Sequence, residues 1–383
     1  MRLVLACLLG GSAGWAMTAP GAAAATMAAG YGTGLLWVGL LTSAFALPYA
    51  VLQFPSGVVV DRFGVRATAV AGLSLVVAAH MLALIAPLPG LAMTAWVVSG
   101  VGFAVCFVCG AELARASGSG PRGMGIFGGV SLAFSGVAVL VVPFMSLIID
   151  WRSPWLTTLA VTGPALALSF LAGPHTARRT TPRRQSILDG QLFRLAAVHA
   201  VTLGLGLVLS SWATTLFVTV WSFTPATAAV IGSGVLGLSV VSRPLGGLLT
   251  ARYPARAREI WVVALVACGA ATAALAWPSI PQVAVLAVLT LGILSGLPFA
   301  GVVGAGQALR PERPAAAVGL MNTAAFGLVV ATTPVVGWAA DHGLASWALL
   351  AVAALWLVPL LALPRPVRTR TGRPSPEPSS TCR

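Results

Sequence analysis

Long apolar runs, separated by short polar connections, make up almost the whole chain. Each run is about 20 residues long, the length that an α-helix needs to cross the hydrocarbon core of a bilayer. The ten-residue alternating segments of a transmembrane β-barrel are missing from this pattern. The pattern predicts an all-α integral membrane protein. Its twelve spanning segments are predicted at residues 3–25, 35–60, 67–87, 91–113, 123–148, 155–173, 194–217, 226–250, 260–278, 283–307, 315–338 and 344–363.

The first segment resembles a signal peptide, with Arg2 ahead of an apolar core and small residues at Ala22–Ala25. Cleavage there would leave eleven helices and would break an internal repeat. We therefore expect an uncleaved first helix.

The repeat is clearest in the polar stretch after the second run. The residues Gly57, Arg62 and Arg66 recur about 190 positions later as Gly247, Arg252 and Arg256. At an offset of 191, five residues of segment 5 also match segment 11. They are Arg122, Gly128, Gly136, Pro143 and Asp150, matched by Arg313, Gly319, Gly327, Pro334 and Asp341.

A repeat of half the chain indicates a duplicated architecture. We predict two six-helix halves at 1–173 and 194–363, a polar linker at 174–193 and a disordered tail at 364–383. Since each half has an even number of helices, the halves are related by an axis along the membrane normal. Parallel halves of this kind are typical of transporters, whose substrate site lies between them.

Composition agrees with a membrane protein, and the positions of the arginines predict which ends of the helices face the cytoplasm. Hydrophobic residues make up 58% of the 383 residues and charged residues only 8%, although the net charge is +14. All basic residues are arginines, and by the predicted spans all except Arg152 and Arg243 share one face. The positive-inside rule then predicts cytoplasmic termini and a cytoplasmic linker. Arginines in short connections argue against nucleic-acid binding, and the lysine-free usage suggests a bacterial inner-membrane protein.

The motif Gly57-x-x-x-Asp61-Arg62-x-Gly64-x-Arg66 between helices 2 and 3 closely resembles the loop signature of the major facilitator superfamily. The resemblance implies a monomeric secondary transporter that works by alternating access. It also implies that Asp61 meets the N-terminus of helix 11 and that the arginines pair nearby, which latches the cytoplasmic side. Gly57 and Gly64 would permit close helix approach and a tight turn. The second copy has Ala251 in place of the aspartate.

Two departures from family patterns limit what the resemblance implies. Many proton-coupled members of the superfamily have an arginine in helix 4. The corresponding position of this chain is Trp96. Drug/proton antiporters carry a Gly-Pro signature in helix 5, and here the proline comes later, at Pro143. Typical drug antiport is therefore disfavoured.

Arg243 is predicted inside helix 8, where a charge is expensive and should face the bundle interior or a watery cavity. It either attracts an anionic substrate or serves as a structural or snorkelling arginine. The run Arg243-Pro-Leu-Gly-Gly247 resembles helix 8 of nitrate/nitrite-type small-anion porters. Those porters also carry an arginine in helix 2, at the position that the repeat assigns to Gln53.

Further polar or aromatic residues in the apolar runs are candidates for the cavity or for coupling. Tyr49 lies one helical turn before Gln53, on the same face of the helix. His199, early in helix 7, is a candidate to titrate or to bind substrate. Glu112 is a coupling candidate, with a pair to a loop arginine as the alternative. His80 is expected to pack in the bundle. Asn322 and Trp212 are cavity candidates by helix membership alone.

The sequence thus predicts a secondary transporter for a small solute, with a small or organic anion as the leading substrate. Its partners would be the solute, a coupling proton or ion, and membrane lipid, and we expect neither a cofactor nor a metal. An exporter of amphipathic or cationic compounds is the alternative, and a non-transporting receptor is another. An enzyme is disfavoured because the eight acidic residues are scattered.

Overall fold

A computed structural model describes residues 1–118, 120–171, 189–310 and 314–363. The side chains of Asp61 and Arg122 lie outside the described part, as do the tail at 364–383 and residues 174–188 of the predicted linker.

The described residues form α-helices joined by short turns, as expected where lipid offers the backbone no hydrogen-bond partner. We call α1–α7 the N-terminal helices and α8–α16 the C-terminal helices. The bounds are α1 Arg2–Ala22, α2 Ala24–Tyr31, α3 Leu35–Phe63, α4 Val65–Ala83, α5 Pro89–Arg115, α6 Gly120–Ile149, α7 Ser153–Leu171, α8 Gly190–His199, α9 Gly206–Thr219, α10 Pro225–Gly237, α11 Ser239–Arg252, α12 Ala257–Ala274, α13 Pro281–Leu294, α14 Pro298–Leu309, α15 Pro314–Asp341 and α16 Ala345–Leu357.

Eleven helical stretches in the described residues are long and apolar enough to cross a membrane. One of them, Gly123–Leu171, has 49 residues, which would extend more than 70 Å at about 1.5 Å per residue. A 3₁₀ turn at Asp150–Arg152 divides it into α6 and α7, and Asp150 has a positive φ of 49°. Counting these two helices separately agrees with the twelve predicted spans.

The arginines gather at one end of the bundle, which we call the basic end. Arg2, at the start of α1, donates to the carbonyl of Ala116 just after α5. Arg310, just after α14, pairs at 3.0 Å with Asp189, which caps the start of α8. These contacts place the start of α1 beside the end of α5, and the end of α14 beside the start of α8. We call the other end of the bundle the opposite end.

The first helix lies at the centre of the bundle. It packs against α6, α5, α7 and α9 through a face of small residues, the usual way in which helices approach closely in lipid. A Cβ atom on Gly14 would lie 2.8 Å from the hydroxyl of Ser135, and that hydroxyl donates to the Gly14 carbonyl at 2.8 Å. The structure thus has the first segment as an integral helix of the bundle.

At the opposite end, α3 and α15 join the N-terminal helices to the C-terminal ones. Asp341, the last residue of α15, accepts hydrogen bonds at 2.9 Å from the backbone N–H groups of Leu35 and Leu36 at the start of α3. About two helical turns further into the bundle, the Ser43 hydroxyl forms a hydrogen bond with the Thr333 hydroxyl at 3.0 Å. The carboxylate meets the positive end of the α3 dipole, which adds to the stability of this contact. We call this contact the Asp341 latch.

A second contact between the two groups of helices runs along α6 and α10, and it depends on the absence of side chains. A Cβ atom on Gly136 would overlap the backbone nitrogen of Gly237 and lie 2.6 Å from its Cα atom. A Cβ atom on Gly237 itself would meet nothing within 4 Å. A methyl group therefore has no room at position 136 and has room at position 237.

This asymmetry gives a matched pair of substitutions. We expect Gly136→Ala to force α6 and α10 apart, at the low end of the ~1–3 kcal/mol that overpacking costs, while Gly237→Ala is tolerated. The measurement is the thermal midpoint of each purified variant, together with its transport rate. Equal behaviour of the two variants would show that the helices do not stay this close.

Toward the basic end the two groups of helices separate. In the described residues, every hydrogen bond between them lies at the level of Gln53 and Gly128 or nearer the opposite end. The close helix approach expected at Gly57 is not found, because nothing lies within 4 Å of a Cβ atom placed there.

Candidate functional site

A narrow cavity lies between the N-terminal and C-terminal helices, about 12–15 Å inside the basic end at 1.5 Å per residue. Its free space is about 10 Å³, the room that about one water molecule needs. Six helices or helix breaks of the C-terminal group supply most of its wall, and α6 supplies Leu132. The lining residues are Leu132, His199, Thr202, Leu203, Leu236, Ser239, Arg243, Ser295, Gly296 and Phe299.

Three C-terminal helices are interrupted where they pass this cavity. A π-helical turn at Ala200–Leu205 separates α8 from α9, Leu238 separates α10 from α11, and residues 295–297 separate α13 from α14. Irregular backbone is tolerated inside a membrane protein where it borders protein or a cavity. π-helical turns are also frequent at functional sites. These breaks bring the N-terminal ends of α11 and α14 to the cavity wall.

Arg243 lies in the first turns of α11 and is only 8% exposed. Its guanidinium carbon sits 3.7 Å from the centre of the Phe299 ring, which is close for a cation–π contact. Its Nη1 also donates to the carbonyl of Gly128 on α6, at 3.4 Å. Among the described residues, no acidic side chain forms a salt bridge with it. The cavity therefore contains a buried positive charge that has no acidic partner in the described part of the chain.

A chain of three side chains crosses from the C-terminal helices to α3. Nε2 of His199 lies 3.0 Å from Oδ1 of Asn322, and Nδ2 of Asn322 donates to Oε1 of Gln53 at 3.2 Å. In the described residues, Nδ1 of His199 and Nε2 of Gln53 are buried without a partner. The sequence predicted these three residues and Arg243 as site candidates, and the structure brings all four to one level.

Two other candidates lie away from the cavity. Tyr49 is buried between aromatic rings of α3, α5 and α15, with the Phe326 ring centre 4.7 Å away. Trp212 is fully buried in α9, where its ring faces Gly337 of α15. Both side chains pack at the interface between the two groups of helices. They do not line the cavity because their helical positions lie closer to the opposite end.

Glu112 and the loop motif lie at or near the basic end. Glu112 pairs with Arg115 at 2.6 Å, one turn along α5, and does not line the cavity. Gly64 has a φ of 80° between α3 and α4, a conformation that strongly favours glycine and agrees with the predicted tight turn. The Arg62 guanidinium lies 5.3 Å from the Phe63 ring, and Arg66 is exposed.

The sequence analysis missed much of the cavity wall, namely Ser239, Ser295 and Phe299. The signal for it was present in Ser295-Gly-Leu-Pro298, a helix-breaking run inside an apolar segment. A break of this kind in a transporter helix points to a binding site.

Comparisons with known proteins agree with this architecture. A family model described as "Major Facilitator Superfamily" matches residues 4–334. No curated protein matches the chain. Among solved structures, a mutant of the nucleoside transporter NupG superposes with a TM-score of 0.71, covering 94% of this chain and 98% of that chain. The two sequences are 13% identical, so this likeness shows the fold.

Proposed function

The chain belongs to the Major Facilitator Superfamily and is a secondary transporter, and we propose that it carries a small organic anion bound by Arg243. The observation that supports the substrate class is the buried guanidinium, which has no carboxylate partner among the described residues. A charge inside a membrane is costly and normally has a partner or a functional role. An anionic substrate would supply the missing charge.

The helix breaks strengthen the attraction for an anion. The α11 and α14 helices, with 14 and 12 residues, both begin at the cavity and run toward the basic end. The first N–H groups of a helix lack partners within the helix, and they carry the positive end of its dipole. Arg243 and these two helix ends therefore act in the same direction.

The cavity is narrow in this conformation, with about 10 Å³ of free space, the room that about one water molecule needs. The lining side chains must therefore move apart to admit a ligand, and charge decides between the ligand classes. A lipophilic cation would meet the positive charge of Arg243, which disfavours the exporter alternative. A nucleoside, the substrate named for the structural neighbour NupG, is neutral and would leave the arginine without a counter-charge.

The conformation fits one state of an alternating-access cycle. The Asp341 latch and the close contact of Gly136 with Gly237 close the opposite end, while the basic end of α3 is free near Gly57. If the basic end is cytoplasmic, as the positive-inside rule requires, this is the inward-facing state of a bacterial inner-membrane protein. The site lies within one chain, which supports a working monomer.

The test is thermal stabilisation of the purified protein by acetate, lactate, nitrate, phosphate, uridine and tetraphenylphosphonium. A ligand that binds the folded state raises the melting temperature, by an amount that grows with its concentration relative to the Kd. We expect a small carboxylate to give the largest shift and to enter sealed vesicles that contain the protein. A shift with uridine or tetraphenylphosphonium alone would overturn the anion proposal. Binding of an anion without flux would indicate a receptor.

A further inference from the structure

His199 lines the same cavity as Arg243, and its hydrogen bonds fix its protonation pattern. Nδ2 of Asn322 donates to Gln53, so Oδ1 of Asn322 is the atom that faces Nε2 of His199. An amide oxygen only accepts, and Nε2 must therefore carry a hydrogen. In a neutral imidazole the other nitrogen, Nδ1, is then an acceptor. This atom is buried and has no partner among the described residues.

Other buried side-chain atoms in the described residues also lack a partner, Nε2 of His80 among them, so what distinguishes Nδ1 of His199 is the place of its side chain in the wall of the Arg243 cavity. The His199 side chain is 99% buried, since its exposed fraction is 1%. Its ring lies 6.0 Å from the ring of Phe299, the same ring that supports the Arg243 guanidinium. The unused acceptor thus belongs to the cavity that holds the unpaired cation.

We propose that Nδ1 of His199 binds the proton that is transported together with the anion. This inference rests on the proposed anion function. A proton on Nδ1 makes the ring a cation beside the guanidinium, and the two positive charges repel each other in the empty cavity. An anion between them is attracted by both and reduces their repulsion, so proton and anion stabilise each other's binding. The protein is then a proton–anion symporter.

Among the charged side chains on the elements around His199, Arg243 is the one that lines the same cavity. In the described residues, neither the 3₁₀ turn Val358–Ala362 nor helices α9 and α16 carries a charged side chain. The acid of α15, Asp341, lies at the opposite end. On α8, Arg194 lies more than a turn nearer the basic end, where Asp189 and Arg310 pair with each other.

Linkage makes the coupling reciprocal. If an anion increases the affinity of the site for a proton, the proton increases the affinity for the anion by the same factor. With one proton and one monovalent anion bound, the site has the same net charge as the empty site, in which Arg243 is the charged group. Proton and anion therefore leave together, to whichever side the cavity opens. Glu112, paired with Arg115 outside the cavity, is not needed for this step.

The test measures the protons taken up when lactate binds, by calorimetry in two buffers of different ionisation enthalpy. For the wild-type protein we expect up to one proton per lactate, and a Kd that rises up to tenfold per pH unit between the pKa of His199 in the empty site and its pKa in the loaded site. We expect His199→Gln to bind lactate without proton uptake and with a flat pH profile. The matched control is His80→Gln, which replaces a fully buried histidine among Trp96 and Trp155, far from the cavity. This control is expected to keep the wild-type proton uptake.

The outcomes separate the two proposals. Proton uptake that persists in His199→Gln would overturn the role of His199 and leave the anion proposal standing. If His199→Gln does not fold, the wild-type protein still tests the role of His199. A lactate Kd that is constant between pH 5.5 and 8.5 would overturn that role. If acetate, lactate, nitrate and phosphate all fail to bind the wild-type protein, the anion proposal falls first, and the symport inference falls with it.

Discussion

Replacement of Arg243 by alanine will abolish substrate-induced stabilisation while leaving the empty protein as stable as before, or more stable. Removing one partner of a buried, hydrogen-bonded charge pair costs about 2–5 kcal/mol of binding, a loss of about 30-fold to several thousand-fold in affinity. In the empty protein the guanidinium is an uncompensated buried charge, and its removal relieves a desolvation penalty. The readouts are the lactate Kd and the melting temperature without ligand.

The same helix offers the control. Arg252 ends α11 at the basic end, where it is exposed and donates to the hydroxyl of Tyr253. Arg252→Ala removes the same charge and the same number of atoms without touching the cavity, and its Kd is expected to match that of the wild-type protein. Arg243→Lys keeps the charge but loses the planar stacking on Phe299, so its affinity is expected to be intermediate. If Arg243→Ala lowers the melting temperature but keeps the affinity, the arginine is structural.

Removal of the Asp341 latch will shift the protein away from the conformation described here. The carboxylate accepts two backbone hydrogen bonds at 2.9 Å, and bonds to charged groups contribute about 1.5–3 kcal/mol each. Because these bonds are exposed, we expect a combined shift of about 2–3 kcal/mol, or roughly 30- to 150-fold in the ratio of the two states. Asp341→Asn is sufficient, since its amide nitrogen would face one of the N–H groups.

The readout must lie away from the latch itself. Thr333 is fully buried against Ser43 and Gly39, so a Thr333→Cys reporter is expected to react with an impermeant maleimide only when the opposite end opens. Asp341→Asn is expected to accelerate that reaction, and the repeat supplies its control in Asp150→Asn. Asp150 lies at the equivalent end of α6 in a left-handed conformation that asparagine tolerates. Equal reaction rates in both variants would show that the latch does not hold this end closed.

Hydropathy was sufficient for the spans because membrane insertion depends on local composition. The tight turn at Gly64 and the position of Arg243 inside an apolar helix also depend on neighbouring residues alone, and the structure has both features. The bond from His199 to Asn322 and the Asp341 latch join residues more than 100 positions apart. Such contacts depend on how the two groups of helices dock. The sequence therefore identified His199, Asn322 and Gln53 separately, without predicting that they form one chain.

Conformation accounts for other differences. Close approach at Gly57 was expected from the family resemblance, and it is absent in a bundle closed at its opposite end. Tyr49 was predicted from its position one turn before Gln53. Its ring packs among aromatic side chains of α3, α5 and α15, and it is not one of the side chains that line the cavity.

The helix breaks also divide the C-terminal helices mechanically. The segments beyond Leu238 and residues 295–297 are α11 and α14, and they carry Arg243 and Phe299. The segments before the breaks are α10 and α13, and α10 is clamped to α6 at Gly136. An interrupted helix bends at its break more easily than a continuous one. The cation and the ring that supports it therefore lie beyond the breaks, on segments that are separate from the α10 segment held against α6.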